Sequence, residues 1–429
     1  MTGVTAHRPL RPLDNAYLDC DRPAGKDGTE IGVLLRFAEP LGRSVEEWRA
    51  LVAVRLDAAP DLRLVPHRPR RRWLPMRWAA AEPNLRHHVR EVRSAAPDGL
   101  RAAVEEVLAD RLPLDRPLWQ LVVLRDAAEG EAVLFRVHHA LADGVGMVEL
   151  GTRLLGSDLR TPVPVTASVR QPRLHAWREV VAGTPRYLRG FAPPAGRAFT
   201  SRDLTGARRL AWADTTVDRL HSIGRQHGVT GTEVYLAALA GALRQWPHTP
   251  WRSGPRTLWA LVPVDTRATG VDDGLGNQVV NLRVPLPCGE PDARRRLALV
   301  AGSANTAGQR RRAEVMRAGV EVLPDLVVRA LFWCTYRRWH IDLVASNVAS
   351  LGHRVSHRGN PITEALPIGF LPHRRPFGVV LGAYGDRVSL HVTADAALPR
   401  PDVLCKLWIQ SLGELASLPA LPSPHGRDR

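Results

Sequence analysis

The chain has 429 residues, 45% hydrophobic and 24% charged, the balance of a soluble globular protein rather than a disordered or fibrous one. That length exceeds one ordinary core and suits two domains of roughly 150–200 residues. A net charge of +16 would suit a nucleic-acid partner, yet only Lys26 and Lys406 are lysines and the arginines are spread along the whole chain, with no dedicated basic tail. The bias reads as the codon habit of a GC-rich genome, and no nucleic acid is expected as a partner.

The opening "MTGVTAHRPLRPLDNAYL" lacks the apolar run of a signal peptide, and no window reaches the 18 or so uninterrupted apolar residues of a spanning helix. A cytoplasmic location is expected. Cys20, Cys288, Cys334 and Cys405 form no CxxC pair, so neither a zinc ribbon nor a redox motif is legible; they read as buried, reduced small hydrophobes.

In chain order, "SVEEWRALVAVRL" opens with Ser44 and Glu47 in capping-box spacing and continues at helical intervals. Leu100, Val104, Val107 and Leu108 mark a second amphipathic helix. "PLWQLVVLRD" and "AVLFRVHH" are short apolar runs that read as strands joined through "AAEGE". A helical period resumes in "MVELGTRLLG". From about Thr161 to Ala207 the chain is rich in Pro, Gly, Arg and Ser, as an interdomain linker would be, with a helix expected in "LHAWREVVAG". Thr230 and Glu233 form another capping box before "EVYLAALAGALRQW". "TLWALVPV" reads as a strand, and "VVNLRVPLP" alternates Val280, Leu282, Val284 and Leu286 with polar neighbours. "FGVVLGAYGDRVSLHVTAD" reads as a hairpin turning at Gly385-Asp386, and "DVLCKLWIQSLGELASL" as a last helix before a disordered tail. The expected division is an N-terminal domain over residues 1–165, a linker over 166–207, a C-terminal domain over 208–420 and a tail over 421–429. The class is α/β.

The segment that carries chemistry is "FRVHHALADGVG", Phe135 to Gly146. It lies where a strand gives way to a glycine-bearing turn, which puts side chains at the mouth of a sheet. Adjacent residues on an extended backbone point opposite ways, so only one of His138 and His139 faces a given cavity. A positioned imidazole titrates near neutrality and can take a proton from a hydroxyl, amine or thiol. Asp143 could orient that imidazole or tie the loop down through a salt bridge. Gly144 and Gly146 leave room for a substrate. The chain also holds a comparison in His87-His88 of "LRHHVREV", which has no Asp-Gly partner and reads as non-catalytic. A zinc site from His138, His139 and Asp143 lacks a further ligand at familiar spacing, so no metal is expected. "DGVGMVELG" misses the third glycine of a dinucleotide loop, and there is no G-x-S-x-G elbow or Walker loop.

HHxxxDG is the signature of the acyl-CoA-dependent acyltransferases, a superfamily that includes chloramphenicol acetyltransferase and peptide-synthetase condensation domains. The chain most resembles its bacterial wax ester synthase/diacylglycerol acyltransferase family, over nearly its whole length. "PLRPLDNAYLDCDRP" is similar to that family's "SPLDxxFL" opening, "LPLDRPLWQLVVL" to its "PLDRxxPLWE", and "TGTEVYLAALAGALR" to its "VNDVxLAAxAGALR". "LVPVDTR" followed by "GLGNQVV", and "LVASNVASLG", stand where the family has "xVPVSxR…GNxxS" and "SNVPGP".

The resemblance implies two chloramphenicol-acetyltransferase-like domains, mixed sheets flanked by helices, in a V with an active-site tunnel between them. It implies that His139 is the general base, that His138 packs away and steadies the turn, and that Asp143 is a structural clamp with Arg267 as its candidate partner. Trp119, Thr232, Glu233, Asn277, Ser346 and Asn347 are placed near substrate. The implied co-substrates are acyl-CoA or an acyl-carrier-protein thioester and a hydroxyl or amine acceptor, with no bound cofactor. Two departures stand out: Thr232-Glu233 replaces Asn-Asp, and Ala349-Ser350-Leu351 replaces Pro-Gly-Pro. A condensation-type enzyme of specialised metabolism and a catalytically silent lipid-binding protein are the competing readings. The segment from Arg310 to His340 mixes arginines with Leu331, Phe332, Trp333, Tyr336 and Trp339, and reads either as a membrane-surface element or as an amphipathic helix whose aromatic face fills the core.

Overall fold

A computed structural model of the chain describes residues 8–20, 28–69, 74, 76–94, 99–126, 128–155, 204–248, 256–265, 267, 276–303, 313, 316–317, 319–320, 323–335, 341–351, 354–371 and 375–420. The helix expected in "LHAWREVVAG", nearly all of the linker, and the tail lie outside the described residues.

The first half runs β1 (Arg8–Pro9), α1 (Pro12–Cys20), β2 (Glu30–Phe37), α2 (Val45–Arg55), β3 (Leu64–His67) and β4 (Arg77–Ala80). It continues through α3 (Leu85–His88), β5 (Val89–Ser94), α4 (Gly99–Ala109), β6 (Trp119–Asp126), β7 (Gly130–His138) and α5 (Gly144–Leu155). The second half runs β8 (Arg208–Thr216), α6 (Val217–His227), α7 (Gly231–Gln245), β9 (Thr257–Asp265), β10 (Val279–Pro287), α8 (Ala293–Ser303) and α9 (Asp325–Cys334). β11 (Leu343–Leu351), β12 (Ser356–His357), β13 (Asn360–Ile368), β14 (Phe377–Tyr384), β15 (Arg387–Asp395) and α10 (Pro401–Ser417) complete it.

Local chemistry explains the boundaries. Ser44 and Glu47 close a capping box on α2, and Thr230 and Glu233 do the same on α7, each satisfying orphan amides of a first turn. Val280, Leu282, Val284 and Leu286 are buried at alternate positions of β10, the period of a half-buried strand. β14 turns into β15 through Gly385 at φ 59°, a conformation that favours glycine. α7 is apolar around its whole circumference from Val234 to Leu243, and α8 and α10 pack against it.

Two mixed six-stranded sheets result, in the orders β12-β13-β2-β7-β6-β5 and β10-β9-β11-β14-β15-β8. Each backs its own core, Trp48, Trp119 and Phe135 in the first, Tyr235, Trp246, Phe377 and Trp408 in the second. The sheets do not respect the division expected from sequence. After β11 the chain crosses to the first sheet, lays β12 and β13 along its edge, with β13 antiparallel to β2, and returns to the second sheet as β14. Residues 208–420 are therefore not one continuous unit; the first sheet is completed by the second half. Cys288 and Cys405 are buried as expected, whereas Cys334 is exposed. Among the described residues no helix is long and apolar enough to cross a membrane.

A buried ion pair fastens the halves to each other. Arg208, at the start of β8, donates to Glu30 of β2 at 2.6 Å, with side chains 2% and 0% exposed. Burial would raise the Glu30 carboxyl, but the Arg208 guanidinium outweighs it, helped by Arg136, and holds it at about 2 against an ordinary 4.5. The bound carboxylate thus contributes stability that is present above 4.5 and is lost as pH falls through about 2. Removing the cation leaves a buried charge uncompensated, so Arg208→Ala is expected to cost about 3 kcal/mol or more at neutral pH. Because that variant's Glu30 prefers to be protonated, the loss in urea midpoint should widen as pH rises from acid to neutral; a constant gap would show that the pair does not carry this stability.

Candidate active site

Strand β7 ends at His138, and the loop that follows is built from its own polar groups. His138 is fully buried; its Nδ1 accepts the Ala140 amide at 3.0 Å, so its Nε2 carries the proton and donates to Thr29 Oγ1 at 2.8 Å. Both ring nitrogens are spent on the turn. His139, next in sequence, faces the other way and lines a cavity of about 910 Å³. Its Nδ1 is buried without a hydrogen-bond partner among the described residues, which leaves Nε2 as the nitrogen the cavity reaches. Tyr17 stacks on the ring at 4.1 Å between centroids, and Phe370 meets it edge-on at 5.0 Å.

Asp143 is 1% exposed and uses both oxygens. Oδ1 accepts from Arg267 Nη2 at 2.7 Å and from the Gly146 amide at 3.0 Å, and Oδ2 accepts from the Gln278 amide at 2.9 Å. Two of those three donors come from the second half of the chain, and an isolated parallel bridge between Ala142 and Gly276 lies beside them. Burial would raise the Asp143 carboxyl, but the guanidinium and the two amides outweigh it and hold it below the usual carboxylate range. Arg267 is fixed in turn by Asp265 at 3.1 Å. The aspartate does not hydrogen-bond the His139 ring. It clamps the loop on which the ring is carried.

The cavity lies between the halves. Ile31 and Gly32 of β2 and Gly144, Val145 and Met147 of α5 form one wall; Leu220, Leu236, Val262, Val344, Val379 and Leu381 form much of the other. Thr232, Glu233, Ser346 and Asn347 line it as well. Thr232 Oγ1 accepts from Asn347 Nδ2 at 3.0 Å, so the residue that departs from the Asn-Asp pattern is tied across to β11. Glu233 Oε2 is held by the Thr230 amide at 2.6 Å and its hydroxyl at 2.9 Å, so this carboxylate caps α7 at the cavity's edge. Of the other departure, β11 runs through Ala349-Ser350-Leu351 with a register shift between Val348 and Leu351.

Two residues placed near substrate by sequence lie elsewhere. Trp119 is fully buried in the first core, its indole N–H donating to Leu62 O at 2.7 Å and its ring stacked on His88 at 4.6 Å. It begins β6 and does not line the cavity. Asn277 is 6% exposed and lies beneath the loop, its Nδ2 donating to His139 O at 2.6 Å and to Asp14 Oδ1 at 2.8 Å. It holds the loop rather than facing the cavity. Asp14, Tyr17, Phe370 and Gln278 carry no role in the sequence reading. Asp14 and Tyr17 sit in "PLDNAYL", within the segment that resembles the family's opening, and Gln278 in "GLGNQVV", which resembles another of its segments; Phe370 arrives from a distant segment without such a signal. Among the described residues no group of three or more His, Cys, Asp or Glu side chains could hold a metal ion.

Two mixed sheets with a histidine-bearing loop at their junction form a fold similar to that of a solved wax ester synthase/diacylglycerol acyltransferase and to that of a condensation domain. Residues 10–180 match the wax ester synthase/diacylglycerol acyltransferase catalytic domain and residues 275–416 match the C-terminal domain of that family. The chain belongs to the wax ester synthase/diacylglycerol acyltransferase family and is an O-acyltransferase. A protein of Mycobacterium tuberculosis named as a diacylglycerol O-acyltransferase is 28% identical over 388 residues, 80% of this chain and 78% of its own length. One of Mycobacterium bovis is 28% identical over 375 residues, 75% of this chain and 74% of its own. In fold, the chain is similar to the wax ester synthase/diacylglycerol acyltransferase of Marinobacter aquaeolei, with a TM-score of 0.65, 20% identity and 96% and 100% of the two chains covered. The first condensation domain of the calcium-dependent antibiotic synthetase gives 0.65 at 17% identity, covering 97% and 98%.

Burial is the largest influence on the His139 ring and pushes it down to about 4 from 6.5, against the opposing pull of the Asp143 charge. Asn277 and the residue's own carbonyl also favour the charged ring, although neither makes a well-formed hydrogen bond to Nδ1. The ring is therefore expected to be neutral, and able to accept a proton, throughout the range from about pH 5 upward. NMR of protein labelled on histidine nitrogen, with His139→Ala to identify the signal, should show this ring unprotonated at pH 6; titration at an ordinary 6.5 would contradict the buried setting.

Proposed function

We propose that the protein moves an acyl group from acyl-CoA to a hydroxyl acceptor, with His139 Nε2 as the general base. One observation carries the reading: the His139 imidazole stands at the wall of a large, mostly apolar cavity, on a loop clamped from both halves of the chain. The acceptor hydroxyl gives its proton to Nε2 as its oxygen bonds to the thioester carbonyl carbon. The tetrahedral intermediate then expels the CoA thiolate, which takes the proton back from the imidazolium and leaves as free thiol, while the acyl group stays on the acceptor as an ester. Proton transfer of this kind contributes about 10²–10⁴-fold. Apolar side chains along the cavity suit the hydrocarbon of an acyl chain.

The test is a ladder of acyl-CoAs mixed with alcohol, diacylglycerol and amine acceptors, following thiol release and identifying products by mass spectrometry. Ester formation with equal thiol release is expected, falling by about 10² or more in His139→Ala. An unchanged rate in that variant would remove His139 as the base. Amide products, or turnover only with an acyl carrier protein as donor, would favour the condensation-type reading, and binding without turnover the silent one.

The reading extends to a lipid surface as the source of hydrophobic acceptors. Leu326, Val327 and Trp333 stand 63%, 40% and 42% exposed on α9, while Val328 and Phe332 pack inward, so this helix both fills the core and shows apolar side chains outward. With a net charge of +16, co-sedimentation with anionic vesicles is expected, and should weaken in Leu326→Ser with Trp333→Ser; equal sedimentation of both proteins would remove this surface.

A further inference from the structure

Helix α1 carries two side chains that the transfer chemistry above does not use. Asp14 and Tyr17 are one helical turn apart and share a face. Asp14 is 2% exposed, and its Oδ1 accepts from the Asn277 backbone amide at 2.9 Å and from Asn277 Nδ2 at 2.8 Å. The same Nδ2 donates to the backbone carbonyl of His139 at 2.6 Å. Tyr17, also 2% exposed, lies flat on the His139 ring, with 10° between the planes. A carboxylate from the first helix, an amide from the second half and the imidazole thus form one contiguous set.

The close approach is built into the backbone. Gly276 has φ 112°, and a Cβ there would come within 2.9 Å of Asp14 Oδ2, so only glycine lets the Asn277 segment descend onto the carboxylate. Burial pushes the Asp14 carboxyl up to about 6, opposed by the two Asn277 hydrogen bonds and by Arg11. An apolar side chain at this depth would cost less than a carboxylate, so packing alone does not account for an acid here. From outside, α9 holds α1 in place: Arg329 binds Asp19, Asn15 Nδ2 donates to Asp325 Oδ1 at 3.0 Å, and Phe332 meets Tyr17 edge-on at 4.9 Å.

We propose that Asp14 and Tyr17 are positioning residues for His139, Asp14 by holding Asn277 against the His139 carbonyl and Tyr17 by fixing the plane of the ring. The inference rests on the general-base reading of His139. Displacement of a reacting group by about 1 Å can cost on the order of 10²-fold in rate, so the two contacts act on turnover rather than on substrate affinity. The face of the phenol ring also favours the imidazole in the instant it is a cation.

Single and double variants separate a relay from general loosening of the fold. Asp14→Ala and Asn277→Ala are each expected to lower kcat about 10- to 100-fold with KM changed by less than about 2-fold, at a melting temperature that stays above the assay range. Because both act through one carbonyl, the double variant should be no slower than the worse single one, whereas independent damage would multiply. Asp14→Asn, which keeps an acceptor at Oδ1, should recover most of the lost rate. Tyr17→Leu should also lower kcat, and it carries the comparison together with Asn277→Ala should Asp14→Ala fail to fold. Multiplying effects, or losses confined to KM, would overturn the relay. Full activity of Asp14→Ala beside a dead His139→Ala would overturn this proposal and leave the general base standing, whereas full activity of His139→Ala would remove the general base itself.

Discussion

The site depends on one buried carboxylate. Asp143 has no solvent to fall back on, so each of its oxygens must find donors within the protein, and it finds them in three places that the chain would not otherwise hold together. Gly146 belongs to the first turn of α5, Gln278 to the segment just before β10 in the second half, and Arg267 to the segment just after β9. An ion pair of this depth gains little net stability over an apolar substitute, because desolvation offsets most of the attraction. What it does supply is geometry: with both oxygens committed, the loop between β7 and α5 has one arrangement relative to the second half.

That arrangement makes the division of labour between the paired histidines intelligible. The extended backbone points them apart, and their surroundings then decide what each can do. His138 meets Thr29 and the Ala140 amide and becomes part of the turn. His139 meets aromatic rings and the cavity, where burial favours its neutral form and leaves one nitrogen for chemistry. The same residue type, one position apart, is spent on the turn in one case and faces the cavity in the other.

The halves are joined more intimately than two docked domains. β12 and β13 complete the first sheet, Arg208 reaches Glu30, and Asn277 sits between Asp14 and His139. Each link crosses from one half to the other, so the halves are held by covalent continuity as well as by packing. A cavity made this way can be apolar over most of its surface and still keep a few polar groups aimed at one point.

The histidine loop, both capping boxes, the alternation of β10 and the turn at Gly385 could be read from residues alone, because each is a local consequence of spacing and backbone preference. The resemblance to a family added the pairing of Asp143 with Arg267, residues 124 positions apart, which no local rule supplies. The sequence could not show that β13 belongs to the first sheet, since strand partners are chosen by register and burial across distant segments. Nor could it show that Trp119 would find its hydrogen bond inside the core, or that Asn277 would turn inward to Asp14. Identity and spacing determined which groups were present and how each short segment would fold; only the closing of one half upon the other decided which of them share a space, because hydrogen bonds and ring contacts are set by distance in three dimensions rather than along the chain.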